Sequence, residues 1–169
     1  MPSIVLVIHN VRSAHNVGSL LRSAEGFGAK VYMTGYTPHP PVKNDVRLPH
    51  LAAKIDRQIA KTALGAEKAD IWQYEKNIKT VINKLKSDGY AIAALEQAAN
   101  SVPLNTYVPP DKIAIVAGSE VGGLPETVLK QTGVVLEIPM SGKKESFNVS
   151  VAGAVAIFAI KFAKQSKKR

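Results

Sequence analysis

Cysteine is absent from this 169-residue chain. That removes disulfide frameworks, Cys-based zinc sites and base methylation through a thiolate adduct on a pyrimidine. No metal site is expected. Aromatic residues are scarce at 6%, with a single Trp, too few for a broad base-stacking platform. Acidic residues are also few: 13 Asp plus Glu stand against 22 Lys plus Arg, a net charge of +9. Such an excess concentrates polyanions and releases their counterions, so nucleic acid is the favoured partner. Long apolar runs are missing too. The longest, VSVAGAVAIFAI at 149–160, falls short of the roughly 20 residues that cross a bilayer. The opening MPSIVLVIHN has no basic n-region and only a short apolar stretch, so it does not read as a secretory signal. A cytoplasmic protein with no membrane partner is expected.

What is present points to a packed α/β domain. The apolar fraction is 46%, enough for a core in a single domain spanning 1–169. Continuous apolar runs at 4–8, 30–34, 91–95, 112–117 and 134–138 read as strands buried on both faces, with a weaker candidate at 70–73. Helical patterns lie between them. Over 16–27, Val17, Leu20, Leu21, Ala24 and Phe27 form one stripe, with Asn16 as the expected N-cap and Gly28 as the stop. Residues 77–88 and 149–164 make two more helices. The alternation predicts a mostly parallel sheet with helices on both faces.

One segment breaks the alternation. YTPHPPVKNDVRLP (36–49) holds five of the ten prolines and is expected to be irregular. With the cation-bearing KIDRQIAKTALGAEKAD (54–70), it reads as a mobile, basic insertion over the end of the sheet. The tail KQSKKR (164–169) adds charge and is expected to fray.

Three segments carry polar groups where strand ends of an α/β sheet bind ligands. The first is NVRSAHNVGSLLRSAEGFG (10–28). Gly18 and Arg22 share a helix face, and a ligand could approach the bare glycine beside the guanidinium. Arg12 and His15 add phosphate donors. Helix geometry alone leaves Arg22 a solvent-facing residue. The second is IVAGSEVGGLPE (115–126), a strand, a glycine-rich turn and a helix start. It has neither the G-x-G-x-x-G of dinucleotide folds nor a P-loop lysine, so a nicotinamide enzyme ranks last. Glu120 in this turn would suit amines or hydroxyls; the plain alternative is an acid complementing a helix dipole. The third is LEIPMSGKKESFNVSVAGAVAIF (136–158). Asn148 could be simply an N-cap, and the alternating small and branched residues Val149, Ala152, Gly153 and Ala156 could belong to a core helix. A subunit interface is the sharper reading.

Taken jointly, the three segments resemble the SpoU/TrmH group of the SPOUT superfamily, RNA ribose methyltransferases that use S-adenosylmethionine (AdoMet). The first family motif matches Asn10, Asn16, Gly18, Arg22 and Ala24. The second matches Gly118, Glu120 and Gly123. The third matches Ile138, Pro139, Met140, Ser146, Asn148, Val149 and Ser150, with Phe147 in place of the usual Leu. The resemblance covers nearly the whole chain.

This resemblance implies a Rossmann-like sheet whose C-terminal part is threaded into a deep trefoil knot. It implies a homodimer, with Arg22 facing a site that the partner subunit completes. AdoMet would lie against Leu95, Ala117, Gly118, Ile138, Met140, Ser146, Phe147 and Asn148. Arg22, Asn16, Glu120, Ser146, Asn148 and Ser150 would form the catalytic set for methylation of a ribose 2′-hydroxyl in tRNA or rRNA. Arg12, His15, Lys43, Arg47, Lys143 and Lys144 are the candidate RNA contacts, on the expectation that the catalytic domain itself recognises RNA without a separate RNA-binding domain. The alternative class is a non-catalytic RNA-binding or ribosome-assembly module that keeps the fold.

Overall fold

The computed structural model describes residues 1–119, 122–144 and 146–163. The chain runs β1 (Ser3–His9), α1 (Ala14–Gly26), β2 (Lys30–Thr34), α2 (Pro49–Ala63), a 3-10 turn (Ala66–Lys68), β3 (Trp72–Glu75), α3 (Ile78–Ser87), β4 (Ala91–Leu95), β5 (Val102–Pro103), β6 (Lys112–Ala117), α4 (Glu126–Leu129), β7 (Val134–Glu137) and α5 (Val149–Phe162). Seven strands form one sheet in the order β3-β2-β1-β6-β4-β7-β5. Every named pair is parallel; Leu6, for example, sits between Val31 and Ile115.

The continuous apolar strands follow from burial on both faces. Alternation along β1 sends Ile4, Leu6 and Ile8 to one core, with Leu20 and Leu21 of α1, Ile59 of α2 and Ile157 of α5. It sends Val5 and Val7 to the other, with Val81, Ile82 and Leu85 of α3 and Val128 of α4. The expected doubly covered parallel sheet is therefore present. The weak strand candidate at 70–73 is realised as β3, displaced to Trp72–Glu75. The two-residue strand β5 has no sequence signal of its own.

Four expectations need correction. The insertion at 54–70 is not a mobile segment. It is mostly the ordered helix α2, which packs on α1. Its apolar residues Ala52, Ile55, Ile59 and Ala63 fall at helical spacing, which buries that face. The irregular part ends where Pro49 starts the helix, a position that proline tolerates.

Gly18 is the second correction. It does not open the helix to a ligand. A Cβ there would overlap Thr62 Oγ1 and the Ile59 carbonyl oxygen, so its bareness lets α1 and α2 approach. Third, the N-cap of α1 is Ser13, whose Oγ accepts the Asn16 N–H at 3.3 Å. Asn16 lies inside the first turn, and its side chain is released for other contacts.

The fourth concerns α5. Three of the four residues of its small and branched stripe turn inward: Val149, Gly153 and Ala156 are buried while Ala152 is half-buried at the cavity, and a Cβ on Gly153 would overlap Leu20 Cδ2. The core reading holds for that stripe. The solvent face of α5 carries Val151, Val155, Phe158 and Phe162 instead. The tail at 164–169 lies outside the described residues.

Candidate active site

β6, β4 and β7 are neighbours in the sheet, and a cavity opens across their carboxyl ends. Ligands of open α/β sheets bind at this edge. The cavity is a partly open cleft with about 150 Å³ of water-accessible volume within the single chain. Leu95 closes β4, Ala117 closes β6 and Ile138 follows β7; all three line it, together with Gly118, Met140, Ser146 and Phe147. Seven of the eight residues expected at a cofactor thus share one cavity. The eighth, Asn148, is not in its lining.

The walls are built by local backbone geometry. After β4, Glu96 donates its N–H to the Leu136 carbonyl at 3.0 Å and so continues the pairing with β7. Its carboxylate then turns to the glycine-rich turn, where Oε2 accepts Leu124 N–H at 3.0 Å; Oε1 accepts Gln97 N–H at 3.1 Å. Gly123 has φ +61, and a Cβ there would overlap this carboxylate. Glu96 therefore ties two cavity walls together. It was not among the expected site residues; its place directly after a strand end is the signal that could have found it. Glu137 also lines the cavity, and among the described residues no Lys or Arg does. Apolar walls with two carboxylates suit a ligand that is part flat and apolar and part cationic, as an adenosyl sulfonium is.

Asn148 caps α5, with its Oδ1 accepting Ser150 N–H at 2.9 Å and Ser150 Oγ–H at 2.6 Å. Its Nδ2 donates to Asn16 Oδ1 at 3.3 Å. The first and third motifs therefore meet through the Asn148–Asn16 hydrogen bond, beside a helix whose Val149 and Ala152 also line the cavity.

Arg22 is elsewhere. It is exposed and lines a second hollow between α1 and α2, with Ser19, Ser23, Gly26, Phe27, Lys61 and Thr62. The hollow and the cavity have no residue in common. Glu120 lies outside the described residues.

The expected RNA contacts divide. Arg12, His15, Lys43, Lys143 and Lys144 are exposed. Lys144 lines a shallow extension of the cavity with Gln97 and Met140. Arg47 is already engaged. Its guanidinium holds Asp45 and donates to the His39 carbonyl at 3.0 Å and the Pro40 carbonyl at 3.3 Å. Those hydrogen bonds hold the Asp45 carboxyl well below its ordinary range. Arg47 thus staples the proline-rich loop.

Asn10, at φ 57, links the strand ends to this loop. Its Oδ1 accepts Tyr36 N–H at 3.2 Å, and its Nδ2 donates to His9 Nε2 at 3.0 Å. His9 Nδ1–H donates in turn to Thr34 Oγ1 at 2.8 Å.

The SpoU rRNA Methylase family model matches residues 3–158 of the chain. Among curated relatives, the mouse tRNA (guanosine(18)-2′-O)-methyltransferase TARBP1 is 29% identical over 157 residues, covering 92% of this chain and 9% of its own length. The tRNA (guanosine(18)-2′-O)-methyltransferase of Borreliella burgdorferi is 39% identical over 85 residues, 50% of this chain and 39% of its own. The chain thus spans well under two thirds of both relatives. An AdoMet-bound rRNA methyltransferase from Sinorhizobium meliloti shares the fold, with a TM-score of 0.78 at 21% identity over 94% of this chain and 56% of that one. Among the described residues, no helix is long and apolar enough to cross a membrane.

Proposed function

The chain belongs to the SpoU rRNA methylase family, and from that premise we propose that it transfers a methyl group from AdoMet to the 2′-hydroxyl of a ribose in tRNA or rRNA. The observation that carries the reading is the convergence of Leu95, Ala117, Gly118, Ile138, Met140, Ser146 and Phe147, from three distant segments, on one cavity. These residues would hold AdoMet, with the flat adenine among the apolar side chains and the cationic end toward Glu96 and Glu137. Bound there, the cofactor supplies an electrophilic methyl group. The named relatives act on tRNA in two cases, and the solved neighbour is an rRNA enzyme; both RNA classes are retained.

Arg22 grips a substrate phosphate in this reading. A guanidinium keeps its proton to a pH above about 12, so it does not itself deprotonate the ribose hydroxyl. The phosphate it orients takes that proton. Asn16, Asn148 and Ser150 form the hydrogen-bonded set that holds α1 against the start of α5, with Ser146 on the cavity side. Glu120 is included in the proposed catalytic set by its match to the second family motif alone.

The active unit in this proposal is a homodimer. Phe27, Phe158 and Phe162 pack edge to face and tilted, with ring centroids 5.1 to 6.4 Å apart. Phe158 and Phe162 are each 54% exposed, which is costly without a partner. Phe27 also borders the hollow of Arg22. A second copy covering this face would bring its own chemistry to Arg22, whose hollow is separate from the cavity within one chain. The threaded C-terminal knot belongs to the same proposal and is supported by β7 lying between β4 and β5. So do a single catalytic domain over 1–169 and a cytoplasmic location.

The test is calorimetric titration with AdoMet, alongside methyl transfer to RNA from a strain lacking the gene. Arg22→Ala should lower transfer by about a hundredfold or more, the scale of a lost transition-state contact, with AdoMet affinity within a few fold. No AdoMet binding at millimolar concentration would instead favour a non-catalytic RNA-binding module.

A further inference from the structure

The helix α2 carries three cations at helical spacing, Lys54, Arg57 and Lys61, all exposed. They lie on the face opposite Ala52, Ile59 and Ala63, which are buried. Along the axis, a rise of about 1.5 Å per residue sets the outer two about 10 Å apart.

Ordinary helix energetics disfavours this arrangement. Lys54 and Arg57 are three apart, and Arg57 and Lys61 four apart, so both neighbouring pairs are like-charged and repel. None of the three is in an ion pair among the described residues. A cation in the last turn suits the helix dipole, which accounts for Lys61. It does not account for Lys54 and Arg57 in the middle. Lys61 also lines the hollow that holds Arg22, with the hydroxyl residues Ser19, Ser23 and Thr62 around it. The charge on α2 therefore runs into the hollow of the one arginine assigned to chemistry. Arg47, the neighbouring sequence candidate, is used up inside its own loop.

We propose that the outer face of α2, through Lys54, Arg57 and Lys61, is the track along which the RNA phosphate backbone is led to Arg22. This rests on the RNA substrate proposed above and names the surface that receives it. A polyanion on this face relieves the like-charge repulsion and releases counterions from the RNA. Arg47 is left as a scaffold of the proline-rich loop.

The experiment compares the full chain with the triple variant Lys54→Gln, Arg57→Gln, Lys61→Gln. The control is Lys76→Gln, Lys79→Gln, Lys86→Gln, which removes equal charge at and before α3 on another side of the molecule. Binding of an in vitro transcribed tRNA is measured from 50 to 300 mM KCl. At roughly 0.7–0.9 per phosphate contact, the slope of log affinity against log salt should become shallower by about 2 in the α2 variant. Its affinity at 100 mM KCl should fall about tenfold or more, while the control and Arg47→Gln stay within about a factor of three of the parent. Thermal melting and AdoMet titration should be unchanged in the α2 variant. A parental slope in that variant, or an equal loss in the control, overturns the track. Failure of the parent to bind AdoMet would sink the methyltransferase reading and leave the RNA comparison intact.

Discussion

Asn148 Nδ2 donates to Asn16 Oδ1 at 3.3 Å, across 132 residues of chain. The same Asn148 caps α5 through Ser150. One side chain thus does two separable things. Asn148→Ala should cost about 1 kcal/mol, as a lost N-cap does, and should also lower methyl transfer. Asn148→Asp keeps the cap but sets a carboxylate against Asn16 Oδ1. Its melting temperature should stay near the parent's while transfer falls. Equal activity in Asn148→Asp and the parent would remove the Asn16 contact from the mechanism.

Gly18→Ala tests the close approach of α1 and α2. Alanine favours an isolated helix by about 1 kcal/mol over glycine. Here the added methyl meets the Ile59 carbonyl, which is backbone and cannot swing aside, and Thr62 Oγ1. Overpacking of about 1–3 kcal/mol should outweigh the propensity. Urea denaturation should show a lower midpoint with an unchanged m-value; a raised midpoint would mean the helices separate freely.

Phe158→Glu tests the proposed dimer face. The parent should sediment as a dimer and the variant as a monomer, with AdoMet affinity largely kept and transfer lost. Phe158 is half exposed in the single chain, so the change should cost the fold little. A parent that sediments as a monomer at micromolar concentration would end the two-subunit account of Arg22.

Acid should destabilise the fold through two histidines. Burial lowers the pKa of His9, which accepts a hydrogen bond from Asn10 at Nε2 and so is held neutral. Burial also lowers His39, stacked on Tyr74 at 3.7 Å, and its hydrogen bond to the Pro40 carbonyl opposes that only in part. A base whose folded pKa lies below its unfolded value binds protons more readily when unfolded. The contribution is therefore complete above about 6.5 and is lost as pH falls from there toward the folded values. The urea midpoint should be lower at pH 5.5 than at pH 7.5, and His9→Gln should flatten that difference. A midpoint equal at both pH values would contradict the account.

The strands were legible because apolar runs such as IVLVI and KIAIVA have one stable use, burial on both faces of a parallel sheet. That seven of the eight residues expected at a cofactor share one cavity was legible because carboxyl strand ends and the turns after them come together at one edge of a parallel sheet. Glu96 had one local signal, its place directly after a strand end; its partner, the Leu124 N–H 28 residues away, is set by tertiary packing. The order of α2 escaped because cations and prolines in sequence look like a solvated loop, whereas Ile59 fixes that helix only against Gly18 of another.

By itself, then, the sequence determined the alternation of strands and helices, the basic balance and the three motifs, since periodicity, charge and residue chemistry are local properties. Tertiary structure alone decided that Gly18 faces a helix, that the small residues of α5 face the core, and that Arg22 opens on a hollow apart from the cavity. Each of these depends on which surface lies opposite, and packing between distant segments sets that.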